Sequence, residues 1–152
     1  MEIKIKDIEE KKVAYVSATG SYEQLPELFG EVVGYAMKEE LDIIEPPYGT
    51  YFNSPMDVSL DKLRYEIGIA FAGDSDGEGK VKIKYIPSHQ AVFTIYKGPY
   101  GQAAQIYEAL IKYAIKNGYD IVGPVTEIYL NNPMEVKEVD LLTEVRFPVK
   151  KK

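Results

Sequence analysis

The sequence predicts an α+β fold: duplicated β-β-α-β-β units with pseudo-twofold symmetry, an antiparallel eight-stranded sheet and two long helices. Three observations support this prediction: an internal repeat, apolar–polar alternation typical of half-buried strands, and one amphipathic helix in each half. The strands are short and closely connected, whereas a parallel doubly wound sheet needs long crossovers. We therefore expect antiparallel pairing, with both helices packed on one face of the sheet.

The repeat has one offset of 78 residues, which aligns residues 2–71 with residues 80–149 without gaps. About twenty of the seventy aligned positions are identical, several times what composition alone would give. Residues 72–79, which contain the stretch GDSDGEG, read as an exposed linker because they are rich in Gly and acid. At 152 residues the chain has the length of one domain, so we expect a single domain over residues 1–152.

Each half has the same order of elements: two strands, an amphipathic helix, and two further strands. A helical spacing of apolar residues indicates each helix. Its stripe comprises Leu25, Leu28, Phe29, Val32, Val33, Ala36 and Met37 in the first half, and Ile106, Tyr107, Leu110, Ile111, Ala114 and Ile115 in the second. Gly118 suits a helix C-terminal cap. In the fourth strand Tyr65 lies on the apolar face, which favours core packing.

Composition narrows the function classes. The chain has a net charge of −6 and no Cys, which argues against direct nucleic-acid binding and excludes thiolate chemistry. No apolar run reaches the length of a membrane span, and the charged N-terminus is not a signal peptide. We therefore expect a cytoplasmic protein without membrane contact. We also expect a monomer or weak dimer. The lone histidine, His89, is expected in an exposed hairpin turn and predicts no metal site, and no cofactor motif is evident.

Glu127 is the sharpest candidate for a functional residue. It lies in the segment GPVTEIYLNNP, near the start of an apolar strand, and the matching position of the first half is Gly49. The fold therefore does not require an acid there. A solvated, idle carboxylate at a strand end is the alternative, and the alternation of side chains does not settle its orientation. If Glu127 is buried, desolvation raises its pKa, which would also suit a general base.

Four segments resemble the GyrI-like superfamily: VAYVSATGSYEQLPELFGEV, AVFTIYKGPYGQAAQIYEALIKYA, GPVTEIYLNNP and LLTEVRFPV. That superfamily includes the effector-binding domains of AraC-type and MerR-type multidrug-responsive activators and stand-alone gyrase-inhibitor-like proteins. The resemblance implies a pseudo-symmetric pair of units around a central cavity for lipophilic, often cationic, ligands. It implies Glu127 as the acidic floor and Tyr22 and Tyr100 as walls. The last strand has Leu141 and Leu142 where relatives often carry a further aromatic.

The tyrosines have two interpretations each. Tyr22 and Tyr100 occupy matching positions at the helix starts, where a ring also staples the turn to the sheet. Tyr51 and Tyr129 match as well, and Tyr129 shares a strand face with Glu127. Contact between such a ring and a cationic ligand contributes roughly 0.5–2 kcal/mol. We therefore take Tyr22, Tyr51, Tyr100 and Tyr129 as candidate ligand-binding residues.

Three functions remain open at this level. The leading prediction is a stand-alone protein that binds a lipophilic small molecule, with Glu127 as the anchor. The second is a hydrolase of electrophilic small molecules, with Glu127 as general base and Tyr100 or Tyr129 as hydrogen-bond donor. The third, implied by the resemblance, is an inhibitory module with a protein partner. The effector-type domain uses all 152 residues, so we expect no DNA-binding module in this chain.

Overall fold

A computed structural model describes all residues from Met1 to Lys152. It contains ten β-strands, two α-helices and four short 3-10 segments. The strands are β1 (Lys4–Ile8), β2 (Lys11–Thr19), β3 (Asp42–Ile43), β4 (Tyr48–Tyr51), β5 (Arg64–Ala72), β6 (Lys82–Ile86), β7 (His89–Lys97), β8 (Tyr119–Ile121), β9 (Val125–Tyr129) and β10 (Leu142–Lys151); the helices are α1 (Leu25–Lys38) and α2 (Tyr107–Lys116). The 3-10 segments span Tyr22–Gln24, Leu60–Lys62, Tyr100–Ile106 and Glu138–Asp140.

The chain divides into two compact units, whose boundaries differ from those of the sequence repeats. The C-terminal unit comprises Met1–Glu9 and Ser88–Lys152, and the N-terminal unit comprises Glu10–Pro87. The first strand of each repeat therefore lies in the unit formed mainly by the other repeat. Strand β1 pairs with β7, and β6 pairs with β2.

All strand pairs in both units are antiparallel. In the C-terminal unit β7 lies between β1 and β10, and β10 also pairs with β8 and β9. In the N-terminal unit β2 lies between β6 and β5, and β5 also pairs with β3 and β4. The predicted α+β fold, with two long helices and eight antiparallel strands, is confirmed, and β3 and β8 are two short additional strands.

The registers of the two units match at the repeat offset. Val16 lies opposite Ile67 in the N-terminal unit, and Thr94 lies opposite Val145 in the C-terminal unit. Gly49 likewise lies opposite Ile67, as Glu127 lies opposite Val145. A residue and its partner 78 positions away therefore occupy the same place in their own units, so each unit is a structural reference for the other.

Each helix covers one face of its own sheet. Helix α1 packs on β2 and β5, and α2 packs on β7 and β10. Tyr65, predicted as a core residue, is fully buried in the cluster beneath α1. The assignment of Met37 and Ile115 to the buried apolar stripes is wrong, because both side chains are exposed. Tyr35 is buried instead, because it follows Val32 by three residues and so lies on the same helical face.

Two connections are also informative. The predicted hairpin turn around His89 is wrong: His89 is the first residue of β7 and lies opposite Ile8, because β6 pairs with β2. Gly118 follows α2 with φ of 85°, the left-handed conformation typical of a helix C-terminal glycine. Neither helix is long and apolar enough to cross a membrane.

Candidate functional site

Glu127 faces the helix side of the sheet in the C-terminal unit. It lies on β9 opposite Val145 of β10, and its carboxylate contacts Tyr107, the first residue of α2. Only 7% of its surface is exposed. The structure thus resolves the orientation that the sequence left open, because the side chain points beneath the helix rather than into solvent.

Two phenol hydroxyls donate hydrogen bonds to this carboxylate. The Tyr107 hydroxyl donates to Oε2, and the Tyr129 hydroxyl donates to Oε1 across 3.3 Å. Tyr129 is two residues along the same strand, so its side chain lies on the same face as Glu127. Both oxygens of the buried carboxylate therefore have a neutral donor, and hydrogen bonds to an ionised acceptor are stronger than those between neutral groups.

Burial and hydrogen bonding act in opposite directions on Glu127. Desolvation is the larger effect and raises the pKa of Glu127 above its usual value, whereas the hydrogen bonds from Tyr107 and Tyr129 lower it. Burial also raises the pKa of Tyr100, and the negative charge of Glu127 adds to that shift. Glu127 therefore favours its neutral form more than an exposed glutamate does, and a nearby cation would favour the charged form.

The two tyrosines that contact the carboxylate each pack against a further aromatic ring. Tyr100 and Tyr129 make an edge-on contact, with ring centroids 5.2 Å apart and planes at 66°. Tyr107 and Phe147 make a second one at 5.6 Å and 89°. In an edge-on contact the edge of one ring meets the face of the other, and ring faces carry the negative part of the aromatic quadrupole. A buried acid beside π faces provides a favourable environment for a lipophilic cation.

The predicted residues Tyr22 and Tyr51 lie in the N-terminal unit. Their rings contact each other at 5.5 Å, and both contact the buried ring of Tyr65. Together they form an aromatic trio packed against the core of that unit. Of the five predicted ligand-binding residues, three therefore lie together in the C-terminal unit, whereas Tyr22 and Tyr51 lie around Tyr65 in the other.

Tyr107 is the site residue that the sequence reasoning missed, because its place in the apolar stripe explained it fully. The repeat contained the missing signal. Its counterpart is Phe29, which lacks a hydroxyl, and the counterpart of Glu127 is Gly49, which lacks an acid. The phenol and the carboxylate that it binds thus occur together in one unit and are absent together at the matching positions of the other.

Two other buried carboxylates lie on the opposite sheet face and have cationic partners. Glu66 contacts Lys84 Nζ at 2.6 Å and accepts a hydrogen bond from the Tyr48 hydroxyl at 2.8 Å. The matching Glu144 contacts Lys6 Nζ at 3.1 Å and also pairs with Arg146. Both pairs connect the first strand of one repeat to the last strand of the other.

The residues beside these two ion pairs differ between the units, and a larger side chain at one position is accompanied by a smaller one at its neighbour. A Cβ at Gly68 would lie 2.6 Å from the Tyr48 ring, so glycine makes room for that ring. In the C-terminal unit Arg146 replaces the glycine and Thr126 replaces the tyrosine. These carboxylates are therefore neutralised within the fold, by different side chains in the two units.

No group of three or more His, Cys, Asp and Glu side chains in residues 1–152 is arranged to hold a metal ion. His89 lies on β7 and belongs to no such group.

Comparison with known proteins supports the fold. The C-terminal domain of EcmrR matches with a TM-score of 0.85 at 23% identity, over 99% of this chain and 98% of that domain. Against the longer EcmrR chain in a DNA complex, this chain spans 58% of that chain. A hydrolase from Listeria innocua matches with a TM-score of 0.73 at 14% identity, over 98% of this chain and 92% of that one.

SAV2435, solved bound to tetraphenylphosphonium, matches with a TM-score of 0.62 at 15% identity, over 99% of this chain and 94% of that one. At such identities these likenesses show the fold alone. None of the curated proteins matches the chain in sequence. Residues 1–150, however, match the GyrI-like small molecule binding domain, and the chain belongs to that family.

Proposed function

We propose that the chain binds a lipophilic cation, with Glu127 as its charged anchor. The observation that carries this proposal is the contrast among the buried acids. Glu66 and Glu144 have lysine partners, whereas the hydrogen bonds to Glu127 come from the phenols of Tyr107 and Tyr129. Neutral phenol donors do not cancel the negative charge of an ionised carboxylate. A cationic ligand can therefore pair with that charge.

The rings beside Glu127 favour a lipophilic rather than a hydrated cation. Tyr100 and Tyr129 present π surface within the same unit, and the two phenol donors already satisfy part of the carboxylate's hydrogen-bonding capacity. A cation that offers charge and apolar surface but few hydrogen-bond donors matches that environment. SAV2435, which shares the fold, was solved bound to tetraphenylphosphonium, and this compound is therefore a suitable probe.

The test is calorimetric titration of tetraphenylphosphonium into the wild-type protein and Glu127→Gln. We expect the substitution to weaken binding by about 2–5 kcal/mol, because it removes the charge partner of a desolvated cation. Glu108→Gln is the matched control: it removes one negative charge from an exposed position on α2 and should leave the affinity unchanged. Equal affinity of wild type and Glu127→Gln would contradict the anchor role.

A neutral probe separates charge from shape. Triphenylphosphine oxide carries three aryl groups without the positive charge. We expect it to bind wild type and Glu127→Gln with similar affinity, because it makes ring contacts and no ion pair. If Glu127→Gln weakened both probes equally, the substitution would be acting through the packing of the site rather than through charge.

A second candidate function is hydrolysis of an electrophilic small molecule, favoured by the raised pKa of Glu127. With a strained cyclic ether such as styrene oxide, water oxygen would bond to a ring carbon as the carbon–oxygen bond breaks. Glu127 would take a proton from the water while Tyr100 or Tyr129 hydrogen-bonds the leaving oxygen. The proton on Glu127 would then pass to that oxygen, which completes the diol and restores the carboxylate. The expected result is diol formation that Glu127→Gln abolishes, whereas stoichiometric binding without turnover would contradict it.

A further inference from the structure

Helix α1 and the segment of residues 78–81 border an open cleft in the N-terminal unit, with a volume of about 330 Å³. That volume lies near the lower end of the range of ligand pockets, roughly 300–1,000 Å³, so the cleft suits a small molecule. We call it the linker cleft. Its lining includes the helix residues Glu31, Gly34, Tyr35 and Lys38 and, from the segment, Glu78 and Lys80.

Hydrogen bonds hold the segment opposite the helix in place. The Tyr35 hydroxyl accepts a hydrogen bond from Gly77 N across 3.0 Å, and it also contacts the Ser75 hydroxyl. Glu78 and Val81 exchange two backbone hydrogen bonds, of 2.9 and 3.0 Å. Both walls of the cleft are therefore formed before any ligand binds, one by a helix and the other by a hydrogen-bonded turn.

The four charged side chains of the cleft differ in their partners. Lys38 Nζ and Glu78 Oε2 lie 2.8 Å apart and pair with each other. The side chains of Glu31 and Lys80, by contrast, have neither an ion-pair partner nor a hydrogen-bond partner. Oε2 of Glu31 is also buried, and buried polar atoms nearly always have a partner. The cleft thus offers one negative and one positive group to a ligand.

The matching helix of the C-terminal unit shows that the fold does not require this arrangement. Ala109 stands at the position of Glu31, and Lys112 stands at that of Gly34. Glycine inside a helix is destabilising relative to alanine, yet a Cβ at Gly34 would meet no atom within 4 Å. Packing therefore explains neither the acid nor the glycine, and the missing side chain at Gly34 keeps the cleft clear.

We propose that the linker cleft binds a small zwitterion such as a free amino acid, whose ammonium group pairs with Glu31 and whose carboxylate pairs with Lys80. The Lys38–Glu78 pair adds no net charge, so the lining as a whole is neutral and matches a ligand that carries both charges. A singly charged ligand would leave one of the two groups without a partner. This site shares no residue with the one around Glu127, and the proposal does not rest on cation binding there.

The test is an amide NMR titration of the labelled protein with glycine, γ-aminobutyrate and ε-aminocaproate, which differ in the separation of their two charges. We expect at least one of them to shift the amide signals of Gly34 and Lys80 to saturation. The alkylamine and the fatty acid of the same chain length each carry one of the two charges. Each should bind at least about tenfold more weakly than that zwitterion.

Substitutions on α1 separate charge from space. Glu31→Gln should weaken zwitterion binding at least about tenfold, whereas Glu27→Gln, which removes an exposed charge from the same helix, should leave it unchanged. Gly34→Leu fills the cleft and should abolish binding. Gly30→Leu is its matched control, because a Cβ at Gly30 also meets no atom within 4 Å and Gly30 does not line the cleft. Leucine is a good helix former, so both leucine variants should fold.

Three results would overturn the proposal. The first is that none of the three zwitterions shifts the amide signals of the cleft. The second is a singly charged analogue that binds as tightly as its zwitterion, and the third is an unchanged affinity in Glu31→Gln. Failure of the cation site is distinguishable, because Glu31→Gln should bind tetraphenylphosphonium as wild type does.

Discussion

The two units share strand order, register and helix position, yet they differ at three matched positions of one site. The C-terminal unit has Tyr107, Glu127 and Thr143 where the N-terminal unit has Phe29, Gly49 and Tyr65. In one unit a buried acid is held by phenols, and in the other a tyrosine ring completes the core. Because both combinations support the same architecture, the acid and its phenol are not requirements of the fold.

The helix starts differ in the same direction. Helix α1 has 14 residues and follows a 3-10 segment of three, whereas α2 has 10 residues and follows a 3-10 segment of seven. The N-terminal unit thus forms regular α-helix over positions at which the C-terminal unit continues as 3-10 helix. Less regular backbone of this kind is common at functional sites. The N-terminal unit shows that the same architecture also accommodates a regular α-helix there.

The largest expected effect is the pH dependence of cation binding. Protonated Glu127 has no charge to offer, so the affinity for tetraphenylphosphonium should fall about tenfold for each pH unit below the pKa of Glu127 in the free protein. Since burial raises that pKa, the decline should begin above the range of an ordinary glutamate. Titrations over a pH series test this, and Glu127→Gln should show a flat profile. A wild-type profile as flat as that of the variant would contradict the assignment.

Ionisation of Glu127 should also change the stability of the protein, and stability should fall with rising pH whereas the affinity for the cation rises. A carboxyl whose pKa is raised by folding binds more protons in the folded state, so its contribution to stability declines as pH rises through the raised pKa. Charged Glu127 thus destabilises the fold at neutral pH. Thermal unfolding should show Glu127→Gln more stable than wild type at neutral pH, with a difference that shrinks as pH falls towards the usual glutamate range. A difference independent of pH would point to packing.

The second effect tests the compensated difference on the opposite sheet face. Gly68→Ala places a methyl group against the Tyr48 ring and should lower the free energy of unfolding by about 1–3 kcal/mol. In a Tyr48→Thr background, which copies Thr126 of the other unit, the same change should cost less than about 0.5 kcal/mol. Denaturant unfolding of the four proteins gives the coupling. Equal effects of Gly68→Ala in both backgrounds would contradict the explanation from steric fit.

The smallest effect compares two buried threonines of the C-terminal unit. Thr143 Oγ1 lacks a partner, whereas Thr94 donates to the Glu2 carbonyl across 2.7 Å. Thr143→Val should raise the free energy of unfolding by about 1 kcal/mol, or the melting temperature by about 2–4 °C, because it removes an unsatisfied buried hydroxyl. Thr94→Val should lower stability instead. A loss of stability in Thr143→Val would mean that its hydroxyl has a partner in solution.

The sequence predicted the architecture well, because periodic patterns and the repeat report directly on strands, helices and register. It did not predict that β1 and β6 each join the unit of the other repeat, as this pairing depends on long-range contacts that alternation does not specify. The misassigned hairpin at His89 follows from that exchange. Ion pairs from Lys6 and Lys84 connect the exchanged strands β1 and β6 to β10 and β5.

The candidate site was predictable in part. The contrast with Gly49 predicts Glu127, and Tyr107 and Thr143 are among the other positions at which the two halves differ. The apolar helical stripe accounts for the ring of Tyr107 but not for its hydroxyl. Which way Glu127 points required the structure, since the alternation in β9 is compatible with either face until the register with β10 is known.

The most direct test of the central claim converts one unit's site into the other's. A triple variant with Tyr107→Phe, Glu127→Gly and Thr143→Tyr gives the C-terminal unit the three residues that the N-terminal unit carries at the matched positions. Titration with tetraphenylphosphonium should show a folded protein that no longer binds the cation. A folded triple variant that binds tetraphenylphosphonium within about threefold of wild type would contradict the claim that these three positions make the site.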